Sequence, residues 1–144
     1  MKNTEYLETI YKNADMAIES INDMYPKFRE KNLKDLMKKI EKGYSEFANE
    51  CKKIAKEKNI KIKDSNFLAK TMLKTSIAFS TLTDKSSSHI AELFLMGTVR
   101  GTINLYKNIK SNKNIDPEIF ELSKRLLSYE EQTFEEIKKY LKSN

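Results

Sequence analysis

Four stretches of the chain repeat apolar residues in alternating steps of three and four, the spacing of helices that pack along a common seam. In the first, Leu7, Ile10, Ala14, Ala17, Ile21, Met24 and Phe28 form the seam, and Tyr11, Ile18 and Tyr25 widen it. This predicts a helix over 3–28. Pro26 lacks an N–H and its ring clashes with the preceding turn, so a kink or early stop is expected near Tyr25. The second seam is Leu33, Met37, Ile40, Tyr44, Phe47, Cys51 and Ile54, on a helix over 32–58 with Asn32 as its N-cap and Asp35 as a short capping partner. The last is Ile119, Leu122, Leu126, Glu130, Thr133, Ile137 and Tyr140. Asp116 caps it and Pro117 takes its first position, which makes this the sharpest boundary in the sequence.

The run over 89–109 is apolar on two sides. Ala91, Leu95, Thr98, Thr102, Leu105 and Ile109 form its seam, while Ile90, Leu93, Phe94, Gly97 and Gly101 lie on the other side. A helix apolar all round is buried. Each glycine costs about 1 kcal/mol of helix propensity against alanine. Close approach of another helix would compensate. Ile90, Leu93, Phe94, Gly97 and Gly101 are therefore expected to form an association surface, met either by the segment 65–83 or by a second subunit in a homodimer. That segment predicts a shorter helix with Phe67, Leu68, Met72, Phe79 and Leu82 on its apolar stripe, lying across the bundle or into a partner.

Four helices of matched length, a short first link, a long excursion over 59–88 and a tight last loop predict a single all-α domain over 1–144. Its architecture is expected to be an antiparallel four-helix bundle with one long connection carrying an extra short helix. Three glycines and two prolines leave too few turns for a sandwich or barrel. The net charge of +6 comes from 24 lysines and three arginines, Arg29, Arg100 and Arg125. Nucleic-acid readers favour arginine for bidentate contacts, so no specific nucleic-acid partner is expected. No apolar run is long enough for a membrane span, and no leader-like apolar core stands at the start, so the cytoplasm is the default location. The single cysteine, Cys51, excludes an internal disulfide and lies on a core seam.

Antiparallel helices of equal length would bring their midpoints together near Ala17, Tyr44, Thr98 and Glu130. Tyr44, Thr98, Thr102, Glu130 and Thr133 are then expected to form a polar layer in an apolar core, where a buried carboxyl needs hydrogen bonds, a cation or a proton.

With this arrangement, and with IYKNADMAIESI over 10–21, SSSHIAELFLMGT over 86–98 and SYEEQTFEEIKKYL over 128–141, the chain resembles the small uncharacterised bacterial members of the ferritin-like four-helix-bundle superfamily. The resemblance implies a core built to hold two metal ions, using a glutamate from each of two helices and Glu-x-x-His from each of the others. Here Ala14, Ala17 and Ile21 stand on the first helix, Tyr44 and Phe47 on the second, and Thr98 and Thr102 on the third. The last helix keeps Glu130 but has Thr133 in place of histidine. The di-metal ligands are thus absent, and no cofactor is expected. His89, Glu92 and Glu130 are the remaining candidates for iron, manganese or zinc. No phosphate loop or nucleophile–base pair stands out, which points away from an enzyme. The leading expectation is a bundle acting through protein association. The alternatives are a metal- or small-molecule-binding protein using the polar core, and a structural component of a bacterial spore or surface layer.

Overall fold

The computed structural model of the protein describes residues 2–63, 67–84, 86–111 and 114–142, apart from the side chains of 67, 68, 79, 82 and 83. The described residues are all-helical, without a strand. The elements are α1 (Lys2–Met24), α2 (Lys31–Glu57), α3 (Phe67–Thr83), α4 (Ser87–Lys110) and α5 (Pro117–Ile137).

The α-helical hydrogen bonds of α1 stop at Met24, and Pro26 sits in a single 3-10 turn, Tyr25–Lys27. The helix α2 starts one residue before the expected Asn32 cap. Glu30 takes the cap position without a side-chain bond, and the backbone bond from Lys34 N to Glu30 O closes the first turn. At α5, Asp116 Oδ1 accepts from Glu118 N at 2.9 Å, with Pro117 next in the chain. The seam residues Leu7, Ile10, Ile21, Leu33, Met37, Leu105, Ile119, Leu122, Leu126 and Ile137 are fully or almost fully enclosed.

Polar contacts at the bundle ends give the helix directions. Lys58, just past α2, pairs with Asp116 at 2.9 Å, and Asp116 N donates to Asn3 Oδ1 at 3.0 Å. The start of α1, the end of α2 and the start of α5 therefore share one end. At the other end Lys142 N donates to Ser88 Oγ, joining the chain after α5 to the start of α4. Thus α1 and α5 run one way, α2 and α4 run the other, and the connection between α2 and α4 crosses the length of the bundle.

Within that connection α3 packs on α1 and α4 of its own chain. Lys70 Nζ lies 3.1 Å from Asp15 Oδ2 of α1. The inner face is a correction to the sequence-based stripe. Leu73, Ile77 and Thr81 turn inward, and Met72 is 64% exposed. Phe67, Leu68, Phe79 and Leu82 have side chains outside the described set. Thr81 can be enclosed because its hydroxyl donates to Ile77 O at 2.8 Å, leaving only its methyl to pack.

Candidate functional site: a cleft between α1 and α4

Glu130 stands one turn after Leu126 on the inner face of α5 and is 1% exposed. Tyr44 reaches it from α2, fully enclosed, and its hydroxyl donates to Glu130 Oε2 at 3.4 Å. Glu130 Oε1 has no hydrogen-bond partner among the described residues. Burial pushes the Glu130 carboxyl up to about 8, against the opposing effect of the Tyr44 hydrogen bond. Burial first, and then the Glu130 charge, hold the Tyr44 hydroxyl well above its usual range. Both groups are therefore mainly neutral at pH 7.

Of the expected polar layer, the structure gathers Tyr44, Thr98 and Glu130 at the floor of one cleft. The threonines of α4 satisfy themselves locally. Thr98 Oγ1 donates to Phe94 O at 3.0 Å and Thr102 Oγ1 to Thr98 O at 2.8 Å. Thr102 is half-buried beyond the cleft, and Thr133 is enclosed on α5 beside Tyr129.

The cleft has a volume of about 490 Å³ and opens between α1 and α4. Met16, Ala17, Leu73 and Phe94 form apolar walls, while Thr9, Asn13, Ser20, Asn104 and Asn108 add neutral polar groups. Lys12, Arg100 and Lys107 line it with exposed side chains, none with an acidic partner within 4 Å among the described residues. This basic edge is not visible in the sequence, because Lys12 and Arg100 stand 88 positions apart and look like ordinary exposed helix charges.

The two glycines of α4 have separate roles. A Cβ built on Gly97 would have no atom within 4 Å, so Gly97 leaves space in the cleft wall. A Cβ on Gly101 would collide with the Asn13 side chain, whose Nδ2 donates to Gly101 O at 2.9 Å. Gly101 is thus met by a helix of its own chain. Of the other residues expected at an association surface, Ile90 and Phe94 are buried within this chain and Leu93 is half-buried. Ile90 and Phe94 are enclosed by this chain's own packing, so they do not present a surface to a partner.

The three candidate metal ligands are not brought together. His89 Nε2 lies 2.9 Å from Ser80 Oγ and 3.2 Å from Ser80 O, which holds the start of α4 against α3. Glu92 is exposed. Among the described residues no group of three or more histidine, cysteine, aspartate or glutamate side chains has an arrangement that could hold a metal ion. Arg100 pairs with neither Glu92 nor Glu130 and lies at the cleft edge. Cys51 is wholly enclosed, and burial pushes its thiol up to about 12, where it is inert as a nucleophile. No helix among the described residues is long and apolar enough to cross a membrane. Comparison of the chain with protein-family models, with curated proteins and with solved structures gives no match.

Proposed function

We propose that the protein is a binding bundle that takes a small amphiphilic organic anion into the α1/α4 cleft. The observation that carries this reading is Glu130, a residue at the cleft floor whose enclosed carboxyl has one oxygen, Oε1, without a hydrogen-bond partner among the described residues. A buried polar atom left unsatisfied costs about 1–3 kcal/mol, and a ligand atom that bonds it recovers that energy. Tyr44 donates to Oε2, so the carboxyl proton belongs on Oε1, and a small side-chain shift at the cleft floor would turn that O–H toward an acceptor on the ligand. The walls fit an apolar body, and the cavity size lies within the range of small-molecule sites. Lys12, Arg100 and Lys107 suit an acidic group at the edge. Binding rather than turnover is favoured because, among the described residues, no second acid lines the cleft beside Glu130, and both Cys51 and His89 are engaged elsewhere.

The same proposal takes the architecture as ferritin-like. In its support, α1 and α5 run against α2 and α4, and one long crossover joins the parallel inner pair. In such a bundle the cavity would occupy the region where relatives hold metal, with a ligand site in its place.

The test is a titration with 8-anilinonaphthalene-1-sulfonate, which joins an apolar body to an anionic group. One site per chain is expected in the unsubstituted protein. Gly97→Leu should fill the cleft and weaken binding by at least roughly tenfold, which corresponds to about 1.4 kcal/mol. Arg100→Glu should weaken it by a smaller factor. Unchanged affinity in Gly97→Leu would show that the dye binds elsewhere, and the cleft would lose its assigned role.

A further inference from the structure

The outer side of α4 carries a second apolar seam. Met96 (62% exposed), Val99 (44%), Ile103 (49%) and Tyr106 (52%) follow one another in steps of three, four and three. This is the spacing that the core seams use, turned toward solvent. Single exposed apolar residues are ordinary, but four on one stripe of one helix mark a contact surface. Gly97 and Gly101 belong to the cleft side of the helix, and none of the four stripe residues lines the cleft, which shares only Lys107 with the groove beside the stripe.

We propose that two copies of the chain pair through this stripe, with their α4 helices antiparallel about a twofold axis that passes between Val99 and Ile103, level with residue 101 along the helix. Self-complementarity selects a second copy as the occupant. Positions equidistant from residue 101 face each other in such a pair, which sets Met96 against Tyr106 and Val99 against Ile103. The same reversal sets Glu92 against Lys110. Both are exposed, and neither has an ion-pair partner among the described residues. A shallow apolar groove beside Ile103, Tyr106 and Lys110 lies where the partner's methionine side chain arrives. An unbranched thioether suits an irregular groove of this kind. A parallel pair would instead set glutamate on glutamate and lysine on lysine, with the helix dipoles aligned unfavourably.

Sedimentation equilibrium of the full chain tests the pairing. A dimer is expected at micromolar concentration, and Ile103→Asp should convert it to a monomer with an unchanged helical circular-dichroism spectrum. Glu92→Lys and Lys110→Glu should each weaken dimerisation by about tenfold, since the pair occurs twice across the axis. The double variant Glu92→Lys/Lys110→Glu should restore it. A parent protein that stays monomeric at about 100 μM overturns the pairing, because an affinity that weak is near the level of nonspecific contact. So does a dimer that survives Ile103→Asp. Two weakened single variants without recovery in the double variant overturn the antiparallel arrangement.

Discussion

Glu130 makes the stability of this bundle depend on pH in a direction opposite to most acidic residues. Burial pushes its carboxyl up to about 8 in the folded chain, from the ordinary 4.5 of an exposed glutamate. The folded state therefore holds the proton more tightly. Its contribution to stability is fully present below about 4.5 and is lost progressively as pH rises through about 8. Over that window the loss is on the order of a few kcal/mol. Replacing Glu130 by Gln keeps the shape and removes the titration. Urea denaturation from pH 5 to 9 should show the parent protein losing stability and Glu130→Gln staying nearly flat. Equal slopes for the two would show that Glu130 ionises normally. The sequence revealed the seam position of Glu130 and its approach to Tyr44 and Thr98, because both follow from helical periodicity. It did not reveal which oxygen lacks a partner, since that depends on the side-chain torsions of Glu130 and Tyr44 and not on periodicity.

At the scale of helices, the three glycines show how one residue type serves different ends. Gly43 on α2 makes room for Tyr129 of α5, whose hydroxyl donates to Ile40 O at 3.1 Å and whose ring packs edge-on to Tyr44 at 5.3 Å. Gly43→Ala would drive a methyl into that hydroxyl and should destabilise the bundle by about 1–3 kcal/mol, despite a gain in helix propensity. Gly97→Ala meets nothing and should stabilise by up to about 1 kcal/mol, raising the melting temperature by roughly 3 °C. Differential scanning calorimetry of the two variants should give shifts of opposite sign, and shifts of the same sign would contradict the packing described. A glycine in a helical pattern signals either close approach or open space, and the letters alone do not separate them. The α3 face was hidden for a related reason. Thr81 reads as polar, yet it is enclosed once its hydroxyl bonds within its own helix.

At the scale of the molecule, the periodic seams made the helix count, the approximate boundaries and the core residues of α1, α2 and α5 legible before any coordinates. The relative directions of the helices depend on end contacts such as Lys58 with Asp116 and Lys142 with Ser88, which join residues far apart in sequence. The cleft was illegible because it is a gap, formed by what α1, α3 and α4 fail to fill. If it binds as proposed, ligand at about 100 times its dissociation constant should stabilise the folded chain by about 2.7 kcal/mol. This should appear as a rise in the urea midpoint with unchanged slope, and Gly97→Leu should cut the rise to about half or less at the same ligand concentration.

Cys51 supplies an internal clock for these effects. Its sulfur is the single thiol, lies on the core face of α2 and is wholly enclosed. Alkylation by iodoacetamide must therefore wait for an opening that separates α2 from its neighbours. When reclosing outpaces the chemistry, the labelling rate reports the equilibrium fraction of opened chains. Every 1.4 kcal/mol added by ligand, by pairing or by Glu130→Gln at alkaline pH should then slow modification about tenfold.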